Sequence, residues 1–110
     1  SGTAPSNTPI FSLSELGYGP EAKITSLFVS RSEQTLLLGV SRYGNDAEAS
    51  GEEPKGDVLW FDLNASNVSV TYNEKKSAKG VAGIPVDIKI KFQTLWRDGL
   101  NYQDVLVDQY

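Results

Sequence analysis

The sequence predicts an all-β protein, and three observations carry that prediction. Val86-Asp-Ile-Lys-Ile-Lys-Phe-Gln93 alternates apolar and polar residues without exception, which in an extended chain separates one dry face from one wet face. Short runs rich in Val, Leu, Ile and aromatic residues recur along the chain, divided by Gly, Asn, Asp and Ser. The one helical signal, Ile10 to Leu16, is a single turn long. About six strands follow, with room for a seventh near residues 9–14. A single-domain antiparallel β-sandwich of the immunoglobulin-like kind is expected, with a small closed barrel as second choice. At 110 residues there is material for one core. A lone propeller blade could not bury its own faces, and the chain holds no second copy of one.

Taken in order, residues 1–9 (Ser-Gly-Thr-Ala-Pro-Ser-Asn-Thr-Pro) are small, polar and interrupted by Pro, so a flexible N-terminal arm is expected there and the β-domain over residues 10–110. Ser12 and Glu15 have capping-box spacing ahead of Gly17 and Gly19. Ile24 to Arg31 and Thr35 to Tyr43 read as a hairpin turned at Ser32-Glu33-Gln34. Its triplet Leu36-Leu37-Leu38 marks a central strand covered on both faces, and Gly39 marks a bulge or a close approach. Residues 44–56 are acidic and bounded by glycine, hence a long exposed loop. Asp57 to Leu63 is a third strand, residues 64–67 turn it, and Val68 to Tyr72 alternates again. Residues 73–83 read as a polar connection, Val86 to Leu95 as one strand, and Trp96 to Asn101 as a turn around Asp98-Gly99. Tyr102 to Asp108 closes the chain as the last strand. The expected core is Ile24, Leu27, Val29, Leu36, Leu38, Val58, Trp60, Val70, Ile88, Ile90, Phe92 and Val105, with Val86 and Val107 at its margins.

Composition narrows the chemistry. There is no Cys and no His, so disulfides, thiolate nucleophiles, cysteine-held metal clusters and imidazole acid–base chemistry are excluded. The absence of Cys favours a virion or cytoplasmic setting over a disulfide-forming secretory compartment. The formal charge is −4, from ten Lys and Arg against fourteen Asp and Glu, with no long basic run, so a nucleic-acid surface is not expected. No apolar run approaches the roughly 20 residues of a membrane helix, so membrane insertion is not expected either.

The remaining candidate sites divide into bland and informative. Glu52-Glu53 and the Asp104, Asp108 pair lack apolar cover that would raise one carboxyl for acid catalysis, and read as solvated surface. Asp46, Glu48, Glu52, Glu53 and Asp57 offer hard oxygens to calcium, but their spacing is not that of a calcium loop. Gly17-Tyr18-Gly19-Pro20 lacks the rest of a phosphate loop and reads as a turn. Asn64-Ala65-Ser66 and Asn67-Val68-Ser69 match glycosylation acceptors and read as turn chemistry. No catalytic residue, cofactor or metal ligand is assigned. The informative set is Thr3, Pro5 and Pro9 in the arm, with Tyr18, Tyr43, Trp96 and Tyr102 at element ends, where exposed rings anchor partners.

The function expected is therefore non-catalytic: a structural or assembly module acting through protein–protein contacts or self-association, such as a decoration or accessory subunit of a viral or other large particle. In that reading the arm is laid on a neighbouring subunit. Two alternatives stand beside it. One is a carbohydrate-binding module using Trp96 and Tyr102, with Asp98 or Asn101 on hydroxyls. The other is a peptide-binding, ear-like domain of a larger protein.

Overall fold

Among the described residues, a 3-10 turn over Leu13–Leu16 leads into eight strands: β1 (Lys23–Ser30), β2 (Thr35–Ser41), β3 (Lys55–Leu63), β4 (Val70–Tyr72), β5 (Ala78–Ala82), β6 (Ile84–Ile88), β7 (Gln93–Asp98) and β8 (Asn101–Leu106). A second 3-10 turn, Glu74–Lys76, sits between β4 and β5. The structure, a computed structural model, describes residues 12–44, 53–64, 69–89, 93–98 and 101–106, with backbone alone for residues 98 and 101–106. The expected arm over residues 1–9, most of the acidic loop, all but Asn64 of the turn expected at 64–67, and Ile90, Phe92 and Val107 lie outside those residues.

The chain is all-β, and among the described residues every pairing is antiparallel. One sheet runs β1-β2-β3-β4, with β5 also on β3; the other runs β6-β7-β8. Within each sheet successive strands are neighbours, except that β5 pairs with β3 and not with β4. This meander differs from the expected immunoglobulin-like order, in which successive strands are divided between two sheets.

The first sheet is apolar on both faces, because β2 and β3 carry consecutive large residues rather than an alternation. One face contributes Leu37, Val58, Trp60 and Ala78 to a cluster completed by Ile88 and Trp96 of the second sheet. The opposite face gathers Leu38, Val40, Leu59 and Phe61 under Ala22, with Leu13, Leu16 and Tyr18 packed against them. The stretch from Leu13 to Ala22 is therefore the lid of a second core. The two-sided cover expected for Leu36-Leu37-Leu38 is found: Leu37 packs towards the second sheet, and Leu36 and Leu38 pack on the opposite face with the lid.

The sheets meet over glycine. A Cβ at Gly56 would lie 2.7 Å from Pro85 Cδ and 2.9 Å from each of the Gly83 and Val40 carbonyl oxygens. At Gly39 it would come within 3.0 Å of Pro85 Cγ and collide with Ser26 Oγ. Pro85 therefore rests on a floor of two glycines, and the close approach expected at Gly39 is found. Thr25 and Ser26 each donate a hydroxyl hydrogen bond to the Pro85 carbonyl, both at 2.7 Å. Thr25 is the extra residue of a bulge between Ile24 and Ser26, and the bulge brings both hydroxyls to the same acceptor.

Four sequence expectations are corrected. The unbroken alternation of Val86 to Gln93 is not one strand: β6 ends at Ile88, the Lys89 N–H donates to the Gln93 carbonyl at 2.7 Å, and Ile88 pairs with Thr94. The chain therefore reverses between Lys89 and Gln93, because period-two patterning states which face a residue takes and not which way the chain runs. The expected polar connection at 73–83 contains β5, whose Ala-Lys-Gly-Val-Ala sequence has poor strand propensity but pairs with β3. The expected turn from Trp96 to Asn101 is narrower: β7 runs on to Asp98, which pairs with Asn101. Ile24, Leu27 and Val29, expected in the core, are 52, 59 and 49% exposed. They oppose Val40, Leu38 and Leu36 across the β1–β2 ladder and so lie on the sheet face that the 13–22 lid covers only towards β3.

Candidate functional site

Tyr18 and Tyr43, two of the rings singled out in the sequence, are brought together. They line one open cleft of about 260 Å³ with Leu16, Gly17, Gly19, Glu21, Arg42 and Lys79. Gly17 ends the first 3-10 turn in the left-handed conformation, at φ 92°, which glycine adopts without steric cost. That sharp stop swings Tyr18 over the sheet, and 17–20 is the turn expected. The capping box is not formed: Ser12 Oγ bonds Ser14 Oγ at 3.0 Å rather than a backbone amide of the turn.

The wall of the cleft is built on Asp57, which is fully buried. Its Oδ2 accepts from Tyr18 Oη at 2.6 Å and Arg42 Nε at 3.0 Å. Its Oδ1 accepts from Arg42 Nη2 and the Gly80 N–H, both at 2.7 Å. Four donors fill a carboxylate's acceptor sites, and the Arg42 fork is bidentate. One side chain thus joins the lid, the end of β2, β3 and β5. Burial pushes the Asp57 carboxyl up, but hydrogen bonds from Arg42, Tyr18 and Gly80 outweigh it and hold the group below the usual carboxylate range. The hydrogen bond to Asp57 in turn raises Arg42 further above its ordinary value, against the burial that opposes it. Asp57 had been grouped with the acidic loop as a calcium candidate. No metal ligand was assigned there, and N–H and O–H donors occupy both of its oxygens. Among the described residues no group of three acidic side chains could hold a metal ion.

Tyr18 is raised well above the ordinary phenol value, first by burial and then by its hydrogen bond to the Asp57 carboxylate. A group raised on folding lends stability that is whole below its unfolded value, near pH 10, and is lost as pH climbs through the folded value. We expect an alkaline absorbance titration to show a tyrosine fraction, that of Tyr18, still protonated until the fold opens. In Tyr18→Phe that late fraction should be missing; an unchanged late fraction would assign it to another ring.

The other site residues are placed as follows. Trp96, expected as an exposed anchor, is 3% exposed and belongs to the core between the sheets. This is a correction, and its reason is that β7 continues through position 96, so the ring faces the first sheet instead of capping a hairpin tip. Tyr102 lies on β8, where only the backbone is described. Thr3, Pro5 and Pro9 lie outside the described residues. Sequence reasoning missed the Asp57–Arg42 pair. Its signal was one carboxylate heading the apolar run Val58 to Phe61 and one cation ending the apolar β2, residues that only the strand register makes neighbours.

The second feature of the surface is β1. It is one edge of the first sheet, paired among the described residues with β2 alone. It carries Ile24, Leu27 and Val29, which with Tyr43 are the exposed large hydrophobic residues of the described surface. In the cleft, the oxygens of the buried Asp57 are filled by donors from Tyr18, Arg42 and Gly80, Glu21 is exposed at the rim, and Lys79 Nζ lies 5.6 Å from the Tyr18 centroid. What the arrangement can do chemically is present apolar side chains beside an open strand edge. Comparison with protein-family models, with curated proteins and with solved structures finds no match to this chain.

Proposed function

We propose that this chain is a non-catalytic assembly module that works by protein–protein contact through β1, in the manner of an accessory or decoration subunit on a larger particle. The observation that carries the reading is the half-exposure of three large apolar side chains on one sheet edge. Apolar groups clustered on a free edge mark a contact surface, because both the side chains and the outward amides and carbonyls gain by being covered. An incoming strand satisfies both at once.

The carbohydrate reading loses one of its two rings, since Trp96 is enclosed; Tyr102 lies on β8, where only the backbone is described.

The test is photo-cross-linking in the native source. Leu27→p-benzoylphenylalanine is expected to give a covalent adduct with protein, and the same probe at exposed Lys75, on the second 3-10 turn, to give none. No adduct at position 27, or equal adducts at both, would remove the reading.

A further inference from the structure

We infer that the partner of β1 is the β1 of a second copy, paired antiparallel about a two-fold axis at Phe28. The inference rests on the assembly reading above and names the partner that reading leaves open. It begins from the choice of edge. Besides β1, the strands β4, β5, β6 and β8 each pair on one side alone among the described residues. β4 is three residues long. β5 exposes Lys79, Gly80 and Ala82 and no large apolar side chain. Within β6, Pro85 has no N–H to give, and its carbonyl is taken by Thr25 and Ser26. A contact through β8, which is described by its backbone alone, would join copies head to tail and is an outcome of the test. Among the described side chains, the large exposed apolar residues that stand on a strand are Ile24, Leu27 and Val29 of β1.

The strand's own sequence then selects the partner. Past the bulge between Ile24 and Ser26, β1 runs in step with β2 as far as Ser30, and the chain turns at 31–34, where the Gln34 N–H donates to the Arg31 carbonyl. The regular stretch between, Ser26-Leu27-Phe28-Val29-Ser30, reads nearly alike in both directions. An antiparallel copy centred on Phe28 sets serine opposite serine and Leu27 opposite Val29. Leu27 and Val29 oppose Leu38 and Leu36 on the lid's face, and Phe28 opposes Leu37 and packs towards the core between the sheets. The two-fold therefore joins the open apolar side chains of both copies into one strip. A slip of one residue would set the lid's face of one copy beside the opposite face of the other. A slip of two would carry the pairing into the bulge or into the turn. The flanking charges agree with this register. At each end of the seam Glu21 and Lys23 of one copy approach the turn that carries Arg31 and Glu33 of the other, all four exposed, so each end holds as many cations as acids. The contact is isologous: it uses both β1 edges and closes at a dimer.

Sedimentation velocity over a concentration series tests this on the whole chain. Wild type should pass from monomer to dimer and no further. Leu27→Lys/Val29→Lys and Leu27→Glu/Val29→Glu should each dimerise about a hundredfold more weakly, since like charges then meet across the seam. Mixed one to one, the two variants should pair with each other. Cross-linking tests the register. The chain has no cysteine, so Leu27→Cys mixed with Val29→Cys should oxidise to a dimer faster than either variant alone, because position 27 faces position 29 across the axis and lies diagonal to itself. Circular dichroism identifies any variant that fails to fold, and wild type with the cysteine pair decides the matter without the charged ones. A wild type that stays monomeric or grows beyond a dimer, folded charge variants that stay apart when mixed, or a Leu27→Cys variant that cross-links as fast alone would each overturn the inference. The reading beneath it fails separately. An adduct at position 27 with a different protein, beside a monomeric wild type, removes the second-copy partner and keeps the contact function; no adduct at all removes both.

Discussion

Asp57→Ala is expected to lower the unfolding free energy by about 3 kcal/mol, the lower end of what breaking a buried ion pair costs. Two opposed effects set that figure. Removing the carboxylate strands the Tyr18 hydroxyl, the Gly80 amide and the Arg42 guanidinium at once, and each had its partner in Asp57 alone among the described residues. Arg42 is 32% exposed, however, so water solvates part of its freed charge and the loss falls short of that for a wholly enclosed pair. Against a total of roughly 5–15 kcal/mol for a domain, the loss is large. Urea unfolding followed by circular dichroism measures it, and a change below about 1 kcal/mol would show the network to be redundant.

The same variant carries a pH signature. The Asp57 carboxyl is held low in the folded chain, so its contribution is full above the unfolded carboxylate value of about 3.9 and is lost as pH falls through the folded value. The gap between wild type and Asp57→Ala should therefore be constant near neutrality and close progressively below about pH 4. A gap that persists unchanged into stronger acid would mean that the cost of substitution lies in shape rather than charge.

Trp60→Ala should cost about 3–5 kcal/mol, the range for deleting a large buried ring. Trp60 stands where the two sheets face each other, with Leu37, Val58 and Ala78 on its own side and Ile88 and Trp96 across. Its backbone is also the junction at which β3 changes partners. β4 reaches only as far as Phe61 and β5 begins at Val58, so the Trp60 N–H and C=O are taken instead by Ser77 Oγ at 2.9 Å and the Asn73 N–H at 2.8 Å. The ring holds this junction in place: Nε1 donates to Asp62 at 3.2 Å, and Lys76 Nζ lies 4.9 Å above its centroid. Truncation is therefore expected to loosen the second 3-10 turn along with the core. Hydrogen exchange should show faster exchange of the Lys76 and Ser77 amides beside the lowered denaturant midpoint. A loss under about 1.5 kcal/mol, the cost of a tolerated core swap, would mean that the sheets close over the gap.

Much of the first sheet was legible in the sequence. β1, β2 and β3 follow from short apolar runs divided by turn residues, and Leu36-Leu37-Leu38 announced a strand covered from both sides. Trp60 was recognisable as core because it sits inside such a run. The second sheet was less legible. Lys89 and Gln93 close a reversal that no Gly or Pro marks, and a residue on the same face before and after a turn keeps the alternation intact. β5 was hidden because Ala78 and Gly80 argue against a strand locally, and its place comes from filling the open flank of β3. At the candidate site Tyr18 and Tyr43 could be picked out as rings near glycines, but their common cleft could not, since it needs the lid folded back across β2 and β3.

Residue chemistry and periodicity were enough to settle that this is an antiparallel β-protein without cysteine or histidine chemistry, and to mark most strands of the larger sheet. Those properties are local: they depend on which side chains are present and on the two-residue repeat of an extended backbone. Which apolar face is covered and which is left open was decided by long-range packing. Pro85 seated on Gly39 and Gly56 draws the second sheet onto one side of β1, and the lid pinned through Tyr18 to Asp57 stops short of Leu27 and Val29 on the other. An alternating strand names two faces, and only the remainder of the folded chain determines where water stays.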